Sequence, residues 1–319
     1  MAEHRSHRSI LSLKSWLFTP ARKADRFGRA TVDNVKVYYM HAEEDLKRSL
    51  LRDELMGRIK PYCTFMQEAE RDLTKKGRED GNRKVVYYVP TSFSQSVRFF
   101  TENIHVDTFL VTVSPMDRNG YFTFGTNNDH TSTAERSAKR LIVEVNGHMP
   151  RVYDSSALHL SEVDSIVEND APLLTLTERP IQEHERKLGQ RIAGLIPQHA
   201  CLQIAVGGVP SGVCEALMDH KDLGVHTEVL NPALARLIQS GVITNRLKKI
   251  NPGKAVFTFA IGDAAFYDFL HDNLAIESHP VNYVNDPAVI AQNDTVVSVN
   301  STIEMDLTGA CNSEYVNGH

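Results

Sequence analysis

Residues 203–228 read QIAVGGVPSGVCEALMDHKDLGVHTE, and this stretch decides the fold. A short apolar run, residues 202–206, leads into the glycine pair Gly207-Gly208, and a helix-like segment, residues 211–218, follows. A second strand-like segment, residues 224–229, comes next. Short apolar runs that alternate with helix-like segments indicate strands and crossover helices. The stretch therefore predicts an α/β fold with a largely parallel sheet.

The same alternation continues on both sides of this stretch. A polar stretch at residues 175–182, which contains Pro180, interrupts it, so we predict two α/β domains, residues 1–180 and 181–319. The predicted strands are residues 35–40, 84–89, 106–114, 140–146, 202–206, 224–229 and 255–261. The predicted helices are residues 92–102, 131–139, 184–195, 211–218 and 264–271, with another that begins at Asn231, and a loop is predicted at residues 207–210.

Composition excludes two classes of partner. The 319 residues include 35 Lys and Arg against 40 Asp and Glu, so no basic excess exists to neutralise a nucleic acid backbone. The most apolar runs are far shorter than a bilayer span. With 41% hydrophobic and 24% charged residues, the sequence is that of an ordinary globular protein. We expect neither nucleic acid nor a membrane as a partner.

The cysteines and the N-terminus bear on location. Four cysteines are scattered without a CxxC pair, which predicts free thiols in a reducing compartment, and we expect the cytoplasm. The first twenty residues are basic and nearly free of acidic residues. Such a segment resembles an organellar transit peptide and equally a disordered tail, and we interpret it as a tail.

The glycine pair is the first candidate site. Without Cβ atoms, Gly207 and Gly208 let backbone amides approach a ligand closely. The helix that follows would present its positive end to an anion or to a developing oxyanion. The alternative is that Gly-Gly turns at strand ends are common packing devices, and by itself the pair favours that alternative.

Glu228 is the second candidate, at the end of the next predicted strand. Ligands of open α/β sheets bind at the carboxyl ends of strands, so we expect Glu228 and the glycine loop at the same edge. The alternative is an exposed glutamate at a strand end beside a surface histidine, His226. His226-x-Glu228 also matches half of a zinc deaminase motif, but no PCxxC follows, so we predict no metal site there.

Asparagines near the C-terminus are weaker candidates. Asn285 lies in the polar segment NYVNDP, and Asn300 follows the apolar run before Ser301. Their side chains could hydrogen-bond a cofactor or could satisfy turns. Asn251-Pro252-Gly253-Lys254 lacks the other residues of a phosphate-binding loop, and we interpret it as a turn.

Taken together, these segments resemble the acetyl-CoA hydrolase/transferase family, in particular its 4-hydroxybutyrate CoA-transferase branch. The resemblance extends over residues 35–312. Asn231-Pro232-Ala233 after Glu228 suggests a looser similarity to itaconate CoA-transferases. The stretches that carry it, in the family's order, are VDTFLVTVSPMDRNGYFTFGTNNDHT, LIVEVNGHMPRV, the stretch quoted first, SGVITN, PGKAVFTFAIG, YDFLHDN, PVNYVNDPAVIAQND and VNSTIEMDLTG.

The resemblance implies two CoA-transferase-type α/β domains and a set of site residues. It implies Glu228 as the nucleophile, with no tightly bound cofactor and no metal, coenzyme A as co-substrate, and acyl-CoA and small carboxylic acids as partners of a homodimer. The family's later glycine-rich loop and its N-terminal glycine-containing strand find no match, so we expect the chain to lack both family ends. The candidate residues for oxyanion stabilisation and CoA binding are Gly207, Gly208, Val209, Asn285 and Asn300.

The implied reaction moves CoA between an acyl-CoA and a small carboxylate through a glutamyl-CoA thioester on Glu228. One thioester replaces another, so the exchange is near thermoneutral and needs neither ATP nor a metal. Two alternatives stay open: an acyl-CoA hydrolase, if water enters the site, and a non-catalytic subunit that binds CoA esters.

Overall fold

The computed structural model describes residues 16–24, 30–40, 44–176 and 178–313. The chain divides into two compact units. Unit 1 comprises Met1–Arg151 and Ser156–Leu174, and unit 2 comprises Val152–Ser155 and Thr175–His319. Both units combine helices with sheets in which most strand pairs are parallel, so the α/β prediction is confirmed. Within the described ranges, no helix is long and apolar enough to cross a bilayer.

Unit 1 is built on one large sheet, whose strand order is β10-β7-β5-β1-β2-β3-β4, with β6 and β9 forming a separate pair. Its strands are β1 (Trp16–Ala24), β2 (Ala30–Tyr39), β3 (Ile59–Cys63), β4 (Tyr87–Tyr88), β5 (Thr108–Val113), β6 (Tyr121–Thr123), β7 (Leu141–Val145), β9 (Ala157–His159) and β10 (Ser165–Glu168). Its helices are α1 (Glu44–Arg48), α2 (Glu68–Glu79), α3 (Ser96–Arg98) and α4 (Thr131–Ala134). Residues 1–15 of the basic N-terminal segment lie outside the described residues, and the segment's last residues begin β1.

Local sequence explains where the strand predictions of unit 1 hold. The predictions at 35–40, 106–114 and 140–146 are confirmed by β2, β5 and β7. The prediction at 84–89 is wrong in length, because only Tyr87–Tyr88 pair. Val85 and Val86 are consecutive and both buried, whereas a strand sends successive side chains to opposite faces.

The helix predictions of unit 1 need correction. Over residues 92–102 the chain forms a 3₁₀ turn, then α3, then a π-helical turn at Phe99–Asn103, instead of one α-helix. Over residues 131–139, α4 tightens into a 3₁₀ turn, Glu135–Ser137. Ser96 and Ser137 each donate their hydroxyl to a carbonyl three residues earlier, which competes with regular helix bonding.

Unit 2 contains several small sheets, with strand orders β12-β11-β17, β14-β16-β8, β13-β15 and β18-β19. Its strands are β8 (Tyr153–Asp154), β11 (Cys201–Ile204), β12 (Gly224–Val225), β13 (Val229–Leu230), β14 (Ala255–Phe257), β15 (Phe259–Ala260), β16 (Ile276–Ser278), β17 (Val296–Val299), β18 (Glu304–Met305) and β19 (Cys311–Asn312). Its helices are α5 (Glu183–Ala193), α6 (Gly208–Ala216), α7 (Pro232–Gln239), α8 (Ala264–Leu270), α9 (Val281–Val284) and α10 (Pro287–Ile290).

Two strand predictions in unit 2 are wrong in the same way. The runs at 224–229 and 255–261 are each divided, the first into β12 and β13 and the second into β14 and β15. At the break, the carbonyl oxygen of Glu228 accepts the amides of both Thr258 (3.1 Å) and Phe259 (3.2 Å). Two residues opposite one form a bulge-like irregularity, which bends a strand and re-aims side chains. The break therefore falls at Glu228.

Helices α5 and α6 pack at backbone distance. A Cβ added at Gly189 would overlap the backbone of Gly212, and a Cβ at Gly212 would lie 2.9 Å from the carbonyl oxygen of Glu185. The loop predicted at 207–210 is wrong, because α6 begins at Gly208, with Ser211 N donating to Gly207 O at 3.0 Å. The helix predicted from Asn231 is confirmed as α7, whose N-cap oxygen accepts the amide of Leu234 at 3.0 Å.

Candidate active site

The carboxylate of Glu228 has a specific donor. It follows the short strand β12 at the break described above and is partly buried. Nδ2 of Asn285 donates to its Oε2 at 2.6 Å. Burial raises the pKa of Glu228 above its ordinary value, and the hydrogen bond from Asn285 acts in the opposite direction. Glu228 is thus a carboxylate with reduced hydration and an oriented partner.

Asn285 is held in place by the short helix α9. Its backbone amide donates to Val281 O at 2.9 Å, which closes the helix at Asn285. The residue before it, Val284, is fixed by His226, whose Nε2 lies 2.9 Å from the Val284 carbonyl oxygen. The structure therefore brings two of the predicted residues, Glu228 and Asn285, into contact.

The glycine loop supplies amides to the N-terminus of α6. Gly207 has φ of +143°, a conformation that strongly favours glycine. Gly208 and Val209 open the helix, and the first amides of a helix have no acceptor within it. Pro210 has no N–H, and Ser211 already bonds to Gly207. The amides of Gly208 and Val209 are therefore the donors that this helix end can offer to a ligand.

Packing also requires Gly208 to be glycine. A Cβ at this position would overlap the carboxylate of Glu185. Glu185 is buried, and Arg179 donates to both of its oxygens. Glu185 was not predicted as a site residue, although the capping box Gln182-x-x-Glu185 marks it in the sequence. The packing alternative for the glycine pair thus holds at Gly208.

Glu228 and the glycine loop follow the ends of adjacent strands. β11 pairs in parallel with β12, with Leu202 opposite Val225, and Thr227 Oγ1 lies near the backbone of Ile204. The loop continues from β11 as Glu228 continues from β12. Within the described ranges, no hydrogen bond joins Glu228 to the loop.

Asn300 has different partners. It follows β17 and is exposed. Its Nδ2 donates to Gln203 Oε1 and to Ser298 Oγ, both at 2.9 Å, and its Oδ1 accepts from Gln203 at 3.2 Å. The next residue, Ser301, has its Oγ 3.9 Å from a Cβ built on Gly207. Asn300 therefore lies near the glycine loop and has no hydrogen bond to Glu228 among the residues described.

A second polar cluster comprises Asp154, Glu277 and His279, whose possible metal-ligating atoms lie within 4.8 Å of one another. His279 Nε2 lies 2.9 Å from Asp154 and 3.2 Å from Glu277. Burial would lower the pKa of His279, but the two carboxylates outweigh it and raise that pKa. A protonated imidazole shared by two acids accounts for the cluster, so we interpret it as an ion-pair group.

Comparison with known proteins decides the family. Residues 36–178 match the acetyl-CoA hydrolase/transferase N-terminal domain, and residues 262–319 match the C-terminal domain of the same family. The chain belongs to the acetyl-CoA hydrolase/transferase family. Glu228 and the glycine loop lie between these two matched stretches of the family's domains.

Three relatives extend the match. The chain is 41% identical to a succinyl-CoA:cyclohexane-1-carboxylate CoA transferase of Geobacter metallireducens, over 80% of this chain and 57% of the relative. It is 39% identical to a 4-hydroxybutyrate coenzyme A transferase of Clostridium kluyveri, over 85% and 62%. The crystal structure of RipA from Yersinia pestis matches with 52% identity and a TM-score of 0.85, over 88% and 65%. The chain thus spans less than two thirds of the length of each of these three proteins.

Proposed function

We propose that this chain is a CoA-transferase that moves CoA between an acyl-CoA and a small carboxylate through a glutamyl-CoA thioester on Glu228. One observation carries the proposal: a partly buried glutamate, oriented by an amide donor, follows a strand whose neighbour ends in a helix N-terminus. A nucleophile and a set of oxyanion donors in that relation are what acyl transfer needs. The names of the relatives support the same reaction class.

In the first half-reaction, an oxygen of Glu228 attacks the thioester carbon of the acyl-CoA. The C–S bond breaks, CoA leaves as a thiolate, and a mixed anhydride links Glu228 to the acyl group. The thiolate then attacks the γ-carbonyl of Glu228 and releases the first carboxylate. This leaves CoA bound to Glu228 as a thioester.

In the second half-reaction, the acceptor carboxylate attacks the Glu228 thioester and releases the CoA thiolate. The thiolate attacks the acceptor's acyl carbon in the resulting anhydride. The new acyl-CoA leaves, and Glu228 returns as a carboxylate. No proton or external cofactor is consumed, because each step exchanges one carboxylate or thiolate for another.

The described residues supply two aids to these steps. Each attack develops negative charge on a carbonyl oxygen, and we assign the amides of Gly208 and Val209 as its donors. Loss of one such donor typically costs about 3 kcal/mol in the barrier. Partial burial of Glu228 reduces its hydration, which favours attack and keeps water from the intermediates.

The remaining predictions concern ligands and assembly. Asn285 orients the nucleophile, and Asn300 is the candidate for a contact with CoA. Candidate acids are 4-hydroxybutyrate, butyrate, acetate and itaconate, and a panel of acyl-CoA donors with these acceptors distinguishes them. Asn231 caps α7, which gives the itaconate-like segment a structural role as well. A homodimer and a cytoplasmic location stay predictions, and light scattering tests the first.

The decisive experiment combines Glu228→Gln with trapping of the intermediate. The substitution keeps the size and the polar character of the side chain and removes the nucleophilic charge, so we expect transfer to be lost while CoA-ester binding persists. Wild-type protein incubated with an acyl-CoA alone should gain the mass of CoA, on the peptide that contains Glu228. Hydroxylamine should remove this adduct. Full transfer in the Gln variant would refute the assignment.

The family name also covers hydrolases, so hydrolysis is the alternative activity. A time course with and without acceptor acid separates the two. A transferase releases CoA from acyl-CoA slowly without acceptor and forms a new acyl-CoA when the acid is added. A hydrolase releases CoA at the same rate in both. Binding of CoA esters without turnover would instead identify a non-catalytic subunit.

A further inference from the structure

We propose that His226 is a positioning residue that orients the carboxylate of Glu228 by anchoring the turn that carries Asn285. This inference rests on the proposed function, in which Glu228 is the nucleophile. No hydrogen bond joins His226 to Glu228 among the described residues, and in the proposed reaction His226 does not bind the substrate. It acts through Val284, the residue that precedes Asn285.

His226 and Glu228 contact the same segment although the strand is broken between Val225 and Val229. The side chain of Thr227 between them has other partners, because its Oγ1 donates to the carbonyl oxygens of Ile204 (3.5 Å) and Val229 (3.2 Å). His226 and Glu228 both reach the segment that ends α9, one at its backbone and the other at its side chain.

The four residues form a closed path. His226 Nε2 lies 2.9 Å from the Val284 carbonyl oxygen, and the peptide bond of that carbonyl leads to Asn285. Asn285 Nδ2 then donates to Glu228 Oε2 at 2.6 Å. The chain from Glu228 back to His226 completes the path. Movement of the Val284 carbonyl therefore moves Asn285, whose side-chain amide orients Glu228.

The contact with the Val284 carbonyl shows which imidazole nitrogen of His226 carries a proton. A carbonyl oxygen only accepts, so Nε2 of His226 must carry a proton. The side chain is 4% exposed, and Nδ1 has no hydrogen-bond partner among the described residues. Burial, with smaller contributions from nearby Lys248 and His279, lowers the pKa of His226 to about 4 against the raising effect of the Val284 bond. His226 is therefore a neutral donor at neutral pH.

Tyr283, in the same turn, makes further contacts. The ring of Tyr283 stacks on His279, with 4.6 Å between centroids, and its hydroxyl donates to Asn251 Oδ1 at 2.9 Å. The ring of His226 lies 6.1 Å from that of Tyr283. Because these contacts remain without His226, we expect its removal to loosen the turn at Val284 rather than unfold it.

The test compares His226→Leu with His226→Gln. Leucine removes the donor, whereas the amide of glutamine can still donate to the Val284 carbonyl. We expect His226→Leu to lower kcat about tenfold or more, because a displaced Asn285 weakens its hydrogen bond to the charged carboxylate of Glu228, with a smaller effect on KM. His226→Gln should recover much of this loss. Equal activity of the Leu variant and the wild type would overturn the proposal.

A double-mutant cycle separates positioning from general destabilisation. Asn285→Ala alone and together with His226→Leu should give nearly the same kcat, since both changes remove one oriented hydrogen bond. Multiplicative effects of the two substitutions would contradict the path through Asn285. In both single variants, the acid limb of the kcat/KM profile should move to higher pH, because the donor that lowers the pKa of Glu228 is lost or misplaced.

A readout without turnover keeps this proposal separate from the proposed function. NMR titration of ¹³C-labelled glutamate, with Glu228→Gln to assign the signal, reports the protonation of Glu228 directly. We expect its midpoint to rise in His226→Leu and in Asn285→Ala. An unchanged midpoint in His226→Leu overturns the inference even if Glu228 is the nucleophile. A raised midpoint in a protein without transferase activity would refute the function alone.

Discussion

Asn285 donates its side-chain amide to the carboxylate of Glu228 at 2.6 Å, across 57 positions of sequence. A hydrogen bond to an ionised carboxylate is shorter and stronger than one between neutral groups. It favours the charged form that a nucleophile needs, while burial favours the neutral form. In the proposed mechanism, the balance between these two effects sets the pH range in which Glu228 acts as a nucleophile.

Activity should therefore fall in acid at a higher pH than for an ordinary glutamate. In the proposed reaction Glu228 attacks as a carboxylate and must be ionised, and burial raises its pKa despite the bond from Asn285. We expect the acid limb of kcat/KM to have a midpoint above about 4.3, the value for an exposed glutamate. Initial rates in buffers of constant ionic strength test this, and a midpoint below that value would contradict it.

Gly208→Ala should destabilise the protein and lower transfer. The new methyl group would overlap the buried Glu185 carboxylate and disturb its pairing with Arg179. Overpacking of this kind typically costs about 1–3 kcal/mol. Urea denaturation measures the loss. The matched control is Gly194→Ala, where φ is −64° and the new Cβ would lie 3.5 Å from Arg191 O, an ordinary contact distance, so we expect little change. Equal stability of both variants would refute the packing argument.

Lys248→Met should be destabilising, and increasingly so in base. Lys248 is buried, and its Nζ donates to the carbonyl oxygens of Val225 (2.8 Å) and Lys254 (2.7 Å). Burial lowers the pKa of Lys248 to about 8 from 10.5, so between these values the unfolded chain binds more protons. The stability contributed by Lys248 therefore rises from pH 8 to 10.5, by up to about 3 kcal/mol, and is lost as the pH falls.

Denaturation of wild type and Lys248→Met at pH 7 and pH 10 measures this difference. Lys249→Met is the control, because Lys249 is exposed and pairs only with the exposed Asp294 among the described residues. Exposed pairs contribute about 0–1 kcal/mol. If the free energies of unfolding of wild type and Lys248→Met differ by the same amount at both pH values, the titration of Lys248 is contradicted.

Asn300→Ala should raise KM for the acyl-CoA about three- to tenfold, as for loss of one neutral hydrogen bond, and leave kcat nearly unchanged. We expect an effect on KM because Asn300 lies beside the glycine loop. We expect little effect on kcat because, in the described part of the chain, Asn300 has no hydrogen bond to Glu228. Gln203→Ala is the matched control, because Gln203 shares the hydrogen bonds of Asn300. Equal kinetics of the two variants would show that Asn300 acts only through local packing.

Local sequence patterns predicted several of the strands and one helix start. Runs of β-branched and aromatic residues gave β2, β5 and β7, and Asn231 followed by proline gave the start of α7. The break at Glu228 was missed because residues 224–229 look like one strand. Its cause is non-local, since Thr258 and Phe259 both bond to one carbonyl some thirty residues earlier.

The candidate site shows the same division. Residue type and motif, which report chemistry, predict Glu228, Asn285 and the glycines as site residues. The roles of Glu185 and His226 depend on long-range contacts that a sequence pattern does not reveal. The Glu185 carboxylate packs against Gly208, and the His226 imidazole bonds to the Val284 carbonyl oxygen. A glycine in the sequence shows that a Cβ is absent, but it does not show which neighbouring group would overlap with one.

The close approach of α5 and α6 at Gly189 and Gly212 affects how the glycine loop can respond to a substrate. Helices in backbone contact have no side chains between them to absorb a displacement. The loop is thus mechanically coupled to α5, and a shift at Gly207 must carry the longer helix with it. We expect a stiff loop, whose amides keep one arrangement before and after a substrate arrives.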